Sequence, residues 1–224
     1  NPTIRVIFMR YLYHLPLSPF CRKVRLVLAE KKLEVDLIEE RVWEKRPEFA
    51  RQSPASKVPL LIIDNLKISE SNTIFEYLEE VYPNPPLLPK LTIDKIEARR
   101  FACWFDDTFH QDVTSKLLYQ RVYKKLSGSM QPDSIAIKSG ILALNYYLDY
   151  LDGVLEQRRW LAGDLMTLAD FAAAAHISSL DYMGHIDWTR FRFIKYWYAK
   201  IKSRPAFRSL LMDYLPTFAP PEHY

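Results

Sequence analysis

The sequence has little cysteine, no long apolar run and no clustered histidine. Only Cys21 and Cys103 occur in 224 residues, which does not match the dense disulfide framework of a small secreted domain and fits a reducing compartment. No run reaches the roughly 18 apolar residues of a transmembrane helix, and the first residues lack the order of a signal peptide. The five histidines have no recurrent short spacing, which argues against a metal site. We therefore expect a soluble, cytosolic protein without a metal and without membrane association.

Charge and composition set further limits. The net charge of +4 comes from 31 basic and 27 acidic residues scattered along the chain. Without a long block of like charge, no nucleic-acid partner is expected. A hydrophobic content of 49% in 224 residues is enough for a packed core in one large domain or two small ones.

The two halves of the chain differ in pattern. Between residues 11 and about 81, short apolar runs alternate with helical patterns, which is typical of a mixed sheet flanked by helices. The proline-rich residues 83–91 can continue neither a helix nor a central strand, so they form a stiff connector. Residues 92–214 carry long helical patterns and predict an all-α bundle. Residues 215–224 contain three prolines and no periodic apolar face, so we expect them to lie along the surface or to be disordered.

Individual elements follow from the same patterns, with strands predicted at 11–15 and 35–39 and a hairpin over 59–68. The predicted helices cover 19–31, 71–81, 93 to about 126, 134 to about 157, 168 to about 182, 189–203 and 206 to about 214.

Residues 18–24 (Ser-Pro-Phe-Cys-Arg-Lys-Val) follow a predicted strand and open a predicted helix. A helix start offers free N–H groups and about half a positive charge, which stabilise an anion such as a thiolate. The Ser18 hydroxyl could donate a hydrogen bond to that thiolate, or it could simply cap the helix. Cys21 could be a redox residue or a small buried hydrophobic residue.

Two later segments add candidate contacts. Residues 53–59 (Ser-Pro-Ala-Ser-Lys-Val-Pro) contain a Val-Pro bond, the kind of bond at which a cis peptide is inexpensive, although an ordinary loop proline also fits. Ser71 opens a predicted helix, where its hydroxyl and the free N–H groups can bind a carboxylate while Glu70 takes an ammonium. Helix capping alone would also explain Ser71.

Residues 163–170 (Gly-Asp-Leu-Met-Thr-Leu-Ala-Asp) have the spacing of a capping box. In this arrangement Thr167 caps the helix and Asp170 reaches back to the N–H of the cap residue. The segment is structural and supports no chemistry.

Taken together, these four segments resemble the glutathione S-transferase superfamily, with the active-site turn of its serine and cysteine classes. The resemblance spans nearly the whole chain and implies a thioredoxin-like, glutathione-binding domain at 1–82, a linker at 83–91, an all-helical domain at 92–214 and a tail at 215–224. It also implies a homodimer, glutathione as co-substrate, Ser18 as the catalytic residue and a cis Val58–Pro59 bond. Ser53 stands where the family usually has Asn. The residues implied to bind glutathione are Phe20, Lys45, Lys57, Val58, Pro59, Glu70 and Ser71.

The electrophile would lie against the long helix predicted from residue 93 to about 126. Its aromatic and imidazole side chains suit an apolar pocket with a polar group to orient the substrate, although an aromatic stripe is also typical of plain core. Asp106 and Asp107 are interpreted as a solvated face, because adjacent residues on a helix diverge. The candidate pocket residues are Trp104, Phe105, His110 and Tyr119.

A finer resemblance leads to a second functional hypothesis. Residues 41–49, 104–107 and 220–224 are similar to an alphaproteobacterial subgroup of transferase-like proteins that bind the filament protein FtsZ in cell division. A member of this subgroup would have little or no transferase activity, and its proline-rich tail could contact the partner. A third hypothesis is disulfide reduction through Cys21.

Overall fold

The structure is a computed structural model that describes residues 9–128 and 131–224. Its N-terminal half contains a four-stranded mixed sheet with the strand order β2-β1-β3-β4. The strands are β1 (Arg10–His14), β2 (Asp36–Glu39), β3 (Leu60–Ile63) and β4 (Leu66–Ser69). β1 pairs in parallel with β2 and antiparallel with β3, and β3 pairs antiparallel with β4.

The predicted hairpin is confirmed between β3 and β4. Ile63 pairs with Leu66, so Asp64 and Asn65 form the turn. Asp64 has a φ of 52°, a left-handed conformation that Asp tolerates better than most residues. β3 contributes buried side chains to the core and therefore anchors the loop that precedes it.

Three helices complete the N-terminal half. They are α1 (Pro19–Glu30), α2 (Pro47–Ala50) and α3 (Ser71–Val81). Pro19 occupies the first turn of α1, where its missing N–H is not needed. α1 packs against α3 and against the helical half, so its first turn lies at the junction of the two halves.

The C-terminal half is helical, as predicted. Helix α4 is a continuous helical run over 92–126, in which the segments Phe105–Thr114 and Tyr119–Tyr123 are π-helical. It is followed by α5 (Ser134–Gln157), α6 (Leu168–Tyr182), α7 (Phe193–Lys202) and α8 (Arg208–Leu211). Every residue of α6 is buried, so this helix is the centre of the bundle.

Two predicted helices are shorter than expected. The helix predicted at 189–203 begins only at Phe193, because the Asp152 carboxylate accepts the N–H groups of Phe193 and Ile194 at 2.7 and 2.8 Å and so caps the helix there. The helix predicted at 206–214 is a 3₁₀ turn, Pro205–Phe207, followed by the short α8.

Residues 215–224 lie along the surface and make specific contacts. Of the two predicted alternatives, the structure therefore shows a surface segment and not a disordered tail. The Leu215 N–H donates to the Tyr182 hydroxyl, which donates to the Phe218 carbonyl, both at 2.8 Å. Near the end, His223 lies 2.9 Å from Asp181, and Tyr224 accepts a hydrogen bond from a buried arginine of α1. The tail therefore closes over the ends of α1 and α6.

None of the helices formed by residues 9–128 and 131–224 combines the length and the apolar character that a bilayer crossing requires.

Candidate functional site

A cleft of about 130 Å³ lies where the start of α1, the loop before β3 and the start of α3 meet. Its walls contain every residue implied to bind glutathione except Lys45. Lys45 is exposed, with a left-handed φ of 48°, and does not line the cleft. The lining residues are Phe20, Ser53, Lys57, Val58, Pro59, Ser69, Glu70 and Ser71.

The loop before β3 presents a peptide edge to this cleft. The Val58–Pro59 bond is cis, as the family resemblance implied. Val58 precedes β3, so its N–H and C=O are outside the ladder with β4. The buried Ser53 donates from its hydroxyl to the Lys57 carbonyl at 3.4 Å, which holds the loop on itself. Ser therefore supplies a hydrogen bond within the loop at the position where the family usually has Asn.

The start of α3 forms the opposite wall. Glu70 has a φ of 67° and occupies the N-cap position, but among residues 9–128 and 131–224 no side chain caps this helix. Ser71 is the first helical residue, so it does not play the capping role that was the alternative explanation for its presence. The first N–H groups of α3 are therefore available to an anion, with the exposed Glu70 carboxylate beside them.

Ser18 caps α1. The Cys21 N–H donates to the Ser18 Oγ at 3.4 Å, and Ser18 is 7% exposed. The cap uses a lone pair of the Ser18 oxygen, so the hydroxyl hydrogen can still donate, and the buried Cys21 thiol is one group within its reach. Ser18 is not among the residues that line the cleft.

Cys21 is fully buried in the first turn of α1. Burial raises the pKa of the thiol to about 11, despite the opposing hydrogen bond to Ser18. The residue is therefore a protonated thiol at neutral pH, and this state does not favour the redox hypothesis.

Residues of α4 line two further clefts. One of about 310 Å³ shares Phe20, Glu70 and Ser71 with the first cleft and is bounded by Cys103, Asp106 and Asp107 of α4. The first cleft alone is smaller than the roughly 300–1,000 Å³ of typical ligand sites, whereas the neighbouring cleft of about 310 Å³ reaches that range. The other, of about 440 Å³, lies along α4 and is lined by His110, Ser115, Lys116, Leu118, Tyr119, Gln120 and Tyr123.

The structure divides the four residues predicted for the electrophile pocket. His110 and Tyr119 line the α4 cleft. Phe105 is completely buried, and Trp104 packs edge-on against Tyr147 with ring centroids 5.0 Å apart. Neither residue lines any of the three clefts described above, because their positions on α4 face the bundle. Phe105 lies in the core and Trp104 is half-buried against it, which is the packing that the alternative interpretation describes.

His110 lies between the first cleft and the α4 cleft. Its ring meets that of Phe20 with centroids 4.7 Å apart, and its Nδ1 is buried without a hydrogen-bond partner. Burial, with the nearby His176, lowers the pKa of His110 to about 4, so the ring is neutral at pH 7. The buried Tyr123 hydroxyl also lacks a partner and lines the same cleft. Both atoms are closed to solvent, and the other polar side chains that line the cleft are Ser115, Lys116, Tyr119 and Gln120. Tyr123 was not among the predicted pocket residues, although it lies four residues after Tyr119 and so on the same face of the helix.

A buried network joins the two halves beside this site, and it overturns the interpretation of Asp106 as solvated. The Asp106 carboxylate pairs with the buried Lys23 of α1, which also donates to Asn72 at 2.7 Å. His176 Nε2 lies 3.4 Å from the same carboxylate, and its Nδ1 lies 2.9 Å from the Thr114 hydroxyl. Burial alone would raise the pKa of Asp106, but Lys23 and His176 outweigh it and hold the pKa below its usual value. Asp107 is exposed, as expected.

Comparisons with known proteins agree with this architecture. Residues 12–86 match the model of the glutathione S-transferase N-terminal domain, and residues 110–205 match that of the C-terminal domain. FtsZ-localized protein A of Caulobacter vibrioides is 43% identical over 219 residues, which are 96% of each chain.

Solved structures give the same picture. The structure of FzlA from C. crescentus has a TM-score of 0.93 and 42% identity, covering 96% of this chain and 97% of that one. A glutathione S-transferase from Rhodospirillum rubrum has a TM-score of 0.94 and 41% identity, with the same coverage.

Proposed function

The chain belongs to the glutathione S-transferase superfamily, within the group that contains FtsZ-localized protein A, and we propose that it binds glutathione in the cleft between α1, β3 and α3. The observation that carries this proposal is the gathering of the implied contact residues, all but Lys45, in one cleft. They come from three separate stretches of the chain.

The chemistry of the walls suits each part of the tripeptide. The uncapped N–H groups of α3 and the Ser71 hydroxyl would bind the γ-glutamyl carboxylate, and Glu70 would bind the ammonium beside it. The N–H and C=O of Val58 would pair with the cysteinyl main chain, as an added strand would. The thiol would then point toward the start of α1.

Transfer of the thiolate is the step proposed for this complex. The thiol releases its proton to solvent, and the sulfur forms a bond to an electrophilic carbon whose leaving group departs with the bonding electrons. The positive end of α1 and a hydrogen bond donated by the Ser18 hydroxyl would favour the ionised sulfur. His110 and Tyr119, together with Tyr123, would line the electrophile side.

Calorimetric titration with glutathione tests binding, with Ser71→Ala and Glu70→Ala as site variants and the exposed Ser209→Ala of α8 as control. Loss of a charge-assisted hydrogen bond should weaken binding about tenfold or more, while the control should bind as wild type does. Absence of binding to the wild type would refute the glutathione site.

Ser18→Ala should bind glutathione but lose about 100-fold in rate with an aryl halide. Binding without any rate would refute transfer alone.

The relative that is 43% identical is named for its FtsZ localisation, and it supports a second proposal. We propose that this chain acts in the cytoplasm and associates with FtsZ filaments during cell division. In this hypothesis the chain has little or no transferase activity. The ordered tail is the proposed contact, because Leu215 and Tyr224 anchor it while Glu222 remains exposed. A homodimer, implied by the superfamily, would present two such tails, and sedimentation velocity would test it.

Co-sedimentation with assembled FtsZ tests this second function. Full-length chain should pellet with the filaments, and a chain ending at Leu215 should not. Because truncation also removes Tyr224 from the buried Arg22, the variant Glu222→Lys tests the exposed tail without that loss, with the exposed Lys138→Glu as control. Failure of full-length chain to pellet would refute the association, and equal pelleting of all variants would exclude the tail.

The redox hypothesis has a separate test. Unchanged thiol-exchange activity in Cys21→Ser would eliminate it, and the burial of Cys21 leads us to expect that result.

A further inference from the structure

A groove of about 680 Å³ lies on the helical half, between the end of α5 with the residues that follow it and one face of α7. It shares no lining residue with the three clefts described above. Its volume falls within the range of established ligand sites. A ligand bound in this groove would therefore be separate from one bound in those clefts.

The rim of the groove is strongly basic. Five of its lining residues are Arg or Lys and none is Asp or Glu, whereas the net charge of the whole chain is only +4. Arg158 pairs with Glu97 at 2.8 Å, but in the described part of the chain no salt bridge includes the other four, which are Arg159, Arg192, Lys195 and Lys200. Several arginines elsewhere do have carboxylate partners, as Arg204 does in Glu30.

Lys200 shows how these charges are held together. Its ammonium lies 4.4 Å from the centre of the Trp160 ring and 5.3 Å from that of Tyr196, and it donates to the Arg159 carbonyl at 3.1 Å. Partial burial and the nearby Arg159 charge lower the pKa of Lys200. An anion placed in the groove would relieve this repulsion and form charge-assisted hydrogen bonds.

The floor of the groove is apolar. Leu155 and Trp197 are buried beneath it, Phe193 is half-buried, and Tyr196 is 69% exposed at its edge. A small inorganic anion would leave this apolar surface in water. A ligand that carries both carboxylates and an apolar side chain would cover the rim and the floor together.

We propose that this groove binds an acidic peptide segment in which Asp or Glu residues flank a leucine or aromatic side chain. The concave shape fits a linear chain better than the flat surface of a bilayer. Single-stranded nucleic acid needs several exposed aromatic faces for successive bases, and Tyr196 is the only aromatic lining residue that is exposed. The carboxylates would pair with Arg159, Arg192 and Lys195, and the apolar side chain would lie between Phe193 and Tyr196.

Fluorescence anisotropy with the full chain tests the proposal, using a labelled Asp-Glu-Leu-Phe-Glu-Asp peptide. Two matched peptides replace either the acids by their amides or the Leu-Phe pair by Ser-Ser. The groove variant is Arg192→Glu with Lys195→Glu, and the control reverses the exposed Lys90 and Lys138 in the same way. A third variant, Tyr196→Ser, removes the apolar edge without a change of charge.

The groove variant should lose at least tenfold in affinity and Tyr196→Ser several-fold, whereas the control should change less than twofold. Both altered peptides should bind at least tenfold more weakly, and high salt should weaken the acidic peptide. Absence of binding by the wild type at about 1 mM, equal binding of the amide peptide or equal binding by the groove variant would overturn the proposal. Tighter, groove-dependent binding of phosphatidylserine vesicles or of an oligothymidylate would overturn the choice of a peptide.

Discussion

At the scale of single residues, the most consequential feature is the buried pair of Lys23 and Asp106. Each residue lies on a different half of the molecule, and the side chains are 1% and 9% exposed. Asn72 and His176 complete the hydrogen bonding around the two charges. Buried charges are tolerated only when they are paired in this way, so loss of either partner should destabilise the folded state.

The first prediction concerns this pair. Asp106→Asn should lower the free energy of unfolding by about 3 to 5 kcal/mol, because it leaves the Lys23 ammonium buried without a counter-charge. The double variant Lys23→Met with Asp106→Leu should recover most of that loss. Urea unfolding of both variants and of the exposed Asp107→Asn control provides the measurement. A cost below about 1 kcal/mol for Asp106→Asn would mean that the pair is not effectively buried.

At the scale of elements, the capping box at the start of α6 works as the sequence indicated. Thr167 accepts the Ala169 N–H at 3.3 Å, and Asp170 accepts the Thr167 N–H at 2.9 Å. Asp170 also accepts the Leu161 N–H at 3.1 Å and the Trp197 Nε1–H at 2.8 Å. The box therefore ties α6 to α7 and to the loop before α6, beyond its local capping role.

The second prediction separates these local and tertiary parts. Thr167→Ala should lower the free energy of unfolding by about 1 kcal/mol, the usual value of a lost cap. Asp170→Ala should lower it by about 3 kcal/mol or more, because three buried donors lose their acceptor. Thermal and urea unfolding compare the two, and equal losses would contradict the tertiary role of Asp170.

At the scale of the whole molecule, buried histidines set the response to acid. Burial is the main cause that lowers the pKa of His14, His110 and His185 to about 4, and it also lowers the pKa of His176. In the unfolded chain these groups titrate near 6.5. Below pH 6.5 the unfolded chain therefore takes up protons that the folded chain does not, and stability falls as the pH drops toward 4.

The third prediction follows from this loss of stability at acidic pH. Between pH 7.5 and pH 5.5 the free energy of unfolding should fall by about 1 kcal/mol for His14 alone, with further losses from the other buried histidines. Most carboxylates remain ionised over this interval and contribute little, but burial raises the pKa of Asp170 to about 6, so its protonation in the folded chain offsets part of the loss. Urea unfolding at the two pH values measures the loss, and His14→Gln should reduce the pH dependence. Equal stability at both pH values would contradict the neutral, buried state of these rings.

The sequence by itself determined the features that depend on neighbouring residues. The bounds of α3, α5 and α6, the β3–β4 turn and the capping box all follow from periodicity, turn residues and caps within a few positions. The resemblance to a known superfamily supplied the contact residues of the cleft, and the structure places them together except for Lys45.

Only the tertiary structure decided which side of α4 faces the bundle, and this separates Trp104 and Phe105 from the residues of the α4 cleft. It also set the start of α7, through a carboxylate about forty positions earlier, and the burial of Asp106 against Lys23. A charged residue looks the same in sequence whether its partner is water or a distant side chain. The local pattern carries no record of a contact made between elements, so packing alone settles it.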